Sequence, residues 1–60
     1  MYNFKINQIV KGIKAGTFVI LGWRLIGSET YAQLKEVNPN DHSQVLRGEL
    51  ALPVEKIRPL

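Results

Sequence analysis

A small all-β domain is predicted by three features of this 60-residue chain. Short apolar runs are separated by turn signals at roughly ten-residue spacing, the mark of a β-sandwich or barrel. The longest run, TFVILGWRLI at positions 17–26, is rich in β-branched and aromatic residues. These lose side-chain freedom in a helix and pack well on a pleated sheet. YAQLKEV at 31–37 alternates, with Ala32 and Leu34 facing inward and Gln33 and Lys35 outward, which is the two-residue period of a half-buried strand.

The elements follow in order. A first strand lies within FKINQIVKG, with Phe4, Ile6, Ile9 and Val10 as its apolar points. GIKAG forms a basic loop with a glycine at each end, where the chain can turn sharply. The second strand, 17–26, is apolar on both faces: Val19, Leu21, Trp23 and Leu25 on one, Phe18, Ile20 and Ile26 on the other. Such a strand is central or bends between sheets, and Gly22 at its middle permits a bend or a bulge. GSET is a turn, and YAQLKEV is the third strand. NPNDHS at 38–43 is a loop, because Asn-Pro starts turns and Asn and Asp tolerate left-handed backbone.

QVLRGELAL at 44–52 is the fourth strand. Leu46, Leu50 and Leu52 share one face, and Val45, Arg47, Glu49 and Ala51 the other. Pro53 then presets φ for a single 3₁₀ turn, PVEK, from which Val54 and Ile57 point the same way. IRPL leaves as a short fifth strand, which Pro59 confines to an edge. The apolar tail has one evident use. It folds back on the first strand and closes a sheet too small to survive open.

The totals set limits. A chain of 60 residues is one domain, 1–60, and buries only about 60% of the surface its unfolded form exposes. There is no cysteine, so disulfides and thiolate metal sites are excluded, and the usual aids left to so small a core are tight packing and self-association. Absence of cysteine fits the reducing cytoplasm, the expected location. No apolar run reaches the roughly 20 residues of a membrane span, and the start lacks the pattern of a signal peptide. Eight Lys and Arg against five acids give a net charge of +3 and a pI near 9.6. That balance permits an acidic partner such as nucleic acid without demanding one.

A strand, a proline with one 3₁₀ turn, and a short last strand carrying an arginine resemble the end of an SH3-like barrel. The whole chain fits that five-strand plan, a fold that hosts many functions. FVILGW, TYAQLKE and LALPVEKI are similar in order and spacing to the plasmid-borne type II dihydrofolate reductases, short SH3-like chains that form a tetramer around one central pore. In that family a Val-Gln-Ile-Tyr segment before the proline turn builds the pore. The positions before Pro53 here read Glu49, Leu50, Ala51 and Leu52. None of the four motif residues is kept, so the resemblance implies a fold relation and argues against that activity. It also points to a plasmid, a phage or another bacterial mobile element as the setting.

The residues that could carry chemistry do not assemble an enzyme. His42, the one histidine, stands beside Asp41 and Ser43, but adjacent residues cannot converge into a nucleophile relay, so it is read as a solvated loop side chain. No other ligand stands at metal spacing from it. Glu29, Glu36, Asp41, Glu49 and Glu55 are spread one per element and are read as surface ion-pair partners of Lys35, Arg47 or Lys56. GIKAG lacks the Gly-Lys-Ser/Thr ending of a phosphate-binding loop. No cofactor, metal or membrane is expected, and no catalytic residue.

Binding has better candidates. Lys11 and Lys14 lie at the first loop, and if strands two and three pair, Arg24 and Lys35 share an outer face with Trp23 or Tyr31 nearby. Cations contact phosphates and an exposed ring stacks on bases. Trp23 itself is read as core, because large rings supply much of a small domain's burial. The candidate nucleic-acid-binding set is therefore Lys11, Lys14, Arg24, Lys35 and Tyr31. The expected function is a small non-enzymatic binding module that meets nucleic acid or a protein partner through a basic face. Self-association is the expected use of surplus apolar positions on the second strand. The alternative is a divergent, inactive relative of the type II reductases serving as an oligomeric scaffold.

Overall fold

In a computed structural model, residues 4–60 form an all-β domain. The elements are β1 (Ile9–Gly12), β2 (Thr17–Ile26), β3 (Glu29–Asn38), β4 (Asp41–Pro53), a 3₁₀ turn η1 (Val54–Lys56) and β5 (Ile57–Pro59). They make one antiparallel five-stranded sheet in the order β4-β3-β2-β1-β5. The last strand does return to the first, with Val10 opposite Pro59, Lys11 opposite Arg58 and Gly12 opposite Ile57. No ladder joins the edges β4 and β5. None of the described residues forms a helix long and apolar enough to cross a membrane.

The two edges are consecutive in the chain, separated only by the three residues of η1. Four strand spacings of about 4.8 Å would hold them about 19 Å apart in a flat sheet. The four steps from Pro53 to Ile57 reach at most about 14 Å. The sheet therefore has to curl, and its inner face becomes the core. Val10, Phe18, Ile20, Ala32, Leu34, Val54 and Ile57 form that core, each 4% exposed or less, with Phe4, Leu50 and Leu52 packed against it.

Turn chemistry fixes the register. Gly27 at φ 62° occupies the first central position of the two-residue turn between Ile26 and Glu29, the glycine position of a type II′ hairpin. Gly16, at φ 100°, folds the first loop back onto Phe18, whose ring would stand 2.6 Å from any Cβ there. Ile13 then donates its backbone N–H to the Lys56 carbonyl at 3.0 Å, tying that loop to η1.

Four expectations need correction. The loop expected at 38–43 shrinks to Pro39-Asn40, because Asn38 already pairs with Asp41. The side chain of Asn38 takes the Asn40 N–H at 2.8 Å and closes the turn by itself. Ile6 is not a strand residue. It lies in a turn around Asn7 (φ 71°) and is 53% exposed. The faces expected for β2 do not hold beyond Ile20. Leu21 is an extra residue between the pairs Ile20–Leu34 and Gly22–Gln33, so the alternation slips by one. Trp23 and Leu25 thereby join the inner face opposite Ala32 and Thr30. Register shifts also interrupt β4, so Leu46 is not aligned with Leu50 and Leu52; it is 48% exposed.

Two measurements test this arrangement. Ile57→Ala should cost about 2–5 kcal/mol in urea unfolding, as for a buried aliphatic truncation. Leu25→Ala, at a side chain 71% exposed, should stay within about 0.5 kcal/mol. At the β3–β4 turn, the Ser43 hydroxyl and then its backbone N–H donate to Asp41 Oδ1 at 2.6 and 3.1 Å. They hold the Asp41 carboxyl below the ordinary aspartate range. The turn gains stability above that range and loses it as pH falls through the lowered value. Carbon NMR titration should find Asp41 with a depressed midpoint that Ser43→Ala raises.

Candidate functional site

Side chains on paired residues project from the same face of a sheet, so the register assigns each candidate its side. One row of the face opposite the core cluster runs Arg58, Lys11, Thr17, Val37 across β5, β1, β2 and β3. The next runs Ile9, Val19, Lys35, Glu49, and the third Gly22, Gln33, Ala51. Thr17 and Val37 in the first row and Val19 in the second are buried, so the cations frame a covered, mostly apolar centre. The last holds Arg24, Tyr31 and Pro53. Lys11, Arg24, Tyr31 and Lys35 thus all stand on one face, with Lys14 on the loop at its edge. Arg24 arrives there only through the slip at Leu21. Without it, Arg24 would have Ile20's parity and face the core.

The slip separates the two aromatic candidates. Tyr31 is on the outer face beside Arg24, half-buried, its hydroxyl 3.4 Å from Glu29 Oε1. Trp23 is on the inner side, at the open end of the core, and 39% exposed. It is neither the buried core residue expected nor a neighbour of Lys35.

Arg58 is a member of this face that sequence reasoning missed. Its Nη1 donates to the carbonyls of Glu55 and Ile57 at 2.7 and 2.8 Å, which fixes the guanidinium beside Lys11. Lys11, Lys14 and Arg58 line an open basin with no Asp or Glu side chain in its lining. The pairing of first and last strands was legible; its register, which decides Arg58's neighbour, was not.

Acids temper the rest of the face. Glu29 lies beyond Tyr31, and Glu49 is opposite Lys35. Among the described residues the one ion pair is Arg47 Nε to Glu36 Oε1 at 2.6 Å, on the other side of the sheet. Lys11, Lys14, Arg24 and Lys35 have no such partner. His42 is exposed at the start of β4, and no group of potential metal ligands forms among the described residues.

Arg47 is 63% exposed and Glu36 19%, so their pair belongs to the weak, screened class. A double-mutant cycle with Arg47→Ala and Glu36→Ala should return a coupling of about 0.2–1 kcal/mol that shrinks in high salt. No protein family, curated protein or solved structure compared with this chain matches it.

Proposed function

We propose that this protein is a non-enzymatic module that binds single-stranded nucleic acid across the outer face of an SH3-like barrel. The observation that carries the reading is the register: Lys11, Arg24, Lys35 and Arg58 share one face with Tyr31, and Lys14 rims it. Cations spread over a sheet follow a phosphate backbone, while an aromatic side chain among them gives a base something to stack on. A single strand is favoured over a duplex because the ring can reach an unstacked base, whereas bases inside a helix hide their faces. Only three residues link the two edge strands, which supports a closed, barrel-like shape, and the convex outside of such a shape suits a flexible strand. The order of strands and the proline-led 3₁₀ turn support the SH3-like reading in the same way.

The test is fluorescence anisotropy of a labelled 12-nucleotide oligo(dT) over a salt series. Each phosphate neutralised contributes about −0.7 to the slope of log K against log salt for single strands. Four or five engaged cations therefore predict a slope near −3. Replacing Lys11 and Lys14 together by alanine should flatten it by about 1.4. Binding that ignores salt, or no binding at low salt, removes the proposal.

A further inference from the structure

The outer face holds a cleft of about 280 Å³, lined by Leu21, Arg24, Gln33, Glu49, Leu50 and Ala51. We propose that this cleft takes one guanine base. The inference rests on the single-strand reading above and adds to it a preference among bases.

The cleft is small beside the roughly 300–1,000 Å³ of sites for drug-sized ligands, so it suits one planar heterocycle. Its floor is partly apolar, from Leu21 and Ala51. Its polar groups come from three strands. By register, Arg24 on β2 and Glu49 on β4 stand at opposite ends, with Gln33 on β3 in the row between. No ion pair within 4.0 Å joins Arg24 to Glu49, which are two strands and two rows apart, or Glu49 to Lys35, its cross-strand neighbour, so the charges of Arg24 and Glu49 are both free to meet a ligand. Neither side chain, nor the Gln33 amide, has a hydrogen-bond partner among the described residues. Gly22 leaves room for that amide, since a Cβ there would lie 3.2 Å from Gln33 Oε1.

An unpaired guanidinium and an unpaired carboxylate across a small cleft ask for a ligand with two acceptors on one side and two donors on another. Guanine has both. O6 and N7 accept the two parallel N–H groups of an arginine, and N1–H with the N2 amino group donates to the two oxygens of a carboxylate. Adenine offers no adjacent acceptor pair to the arginine; cytosine has one in O2 and N3 but no adjacent donor pair for the carboxylate, and uracil and thymine have neither pair. Tyr31, cross-strand from Arg24 and on the same face, offers its ring to a neighbouring base of the same nucleic-acid strand.

The experiment compares oligo(dT) with the same oligomer carrying one central dG, by anisotropy at fixed low salt. Free guanosine, adenosine, cytidine and uridine monophosphates are titrated in parallel, observed at the Gln33 side-chain amide by NMR. The single dG should tighten binding roughly fivefold to 100-fold, and only the guanine nucleotide should move the Gln33 resonances. Glu49→Gln, an exposed position on the edge strand, should bring the dG oligomer down to the affinity that variant shows for oligo(dT). If both oligomers bind alike with steep salt dependence, the guanine cleft is refuted and the basic face stands. If no oligomer binds while guanosine monophosphate alone shifts Gln33, the cleft is a free-nucleotide site and the strand reading falls. Equal shifts from all four nucleotides, or none from any, overturn the inference.

Discussion

The structure depends on how little chain joins β4 to β5. These strands are the two edges of the sheet, and only Val54, Glu55 and Lys56 lie between them. So short a link cannot bridge a flat five-stranded sheet, so the sheet bends around Val54 and Ile57, which fill the inside of the bend at 2% and 1% exposure. Without the bend there would be no enclosed inside to bury Ile20 and Leu34, while the pairing register decides which cations share the opposite face. Pro53 contributes by starting the 3₁₀ turn where the strand must stop, with φ −55°.

A second, smaller irregularity decides what the outside can do. One extra residue, Leu21, reverses the sidedness of everything after it in β2. It moves Arg24 from the core side to the face of Lys35 and Tyr31, and it moves Trp23 the other way. Bulges are commonly found where a strand must re-aim a side chain. Here the re-aiming turns a strand that is apolar on both faces at its start into one that presents a cation at its end. The same slip lines up Arg24, Gln33 and Glu49 on adjoining strands. The far end of the β2–β3 hairpin contributes little burial, with Leu25 and Ile26 71% and 47% exposed, so its order comes from its turn and ladder.

Strand count, the 3₁₀ turn and the return of the tail to β1 were legible because they rest on local chemistry: alternation in YAQLKEV, glycines at turns, prolines at 53 and 59. Gly22 marked the place of an irregularity but not its kind. A bend and a bulge read alike in sequence, and only the bulge exchanges Arg24 with Trp23. The loop at 38–43 was overread because Asp41, His42 and Ser43 are turn formers by propensity, whereas a single Asn38 side chain closes the turn two residues earlier. Arg58 and the Gln33–Glu49 juxtaposition were out of reach. They depend on cross-strand register, which is set by partners far apart in the chain.

The most direct measurement is the set of long-range proton contacts between β1 and β5 in solution, with amide exchange across the sheet. Backbone contacts of Gly12 with Ile57 and of Lys11 with Arg58 are expected, with protection of the β1–β5 ladder amides comparable to that of the β2–β3 ladder. Absence of those contacts, or fast exchange in β5 beside a protected β2–β3 hairpin, would contradict the curled sheet, because it could then lie open with its basic residues dispersed.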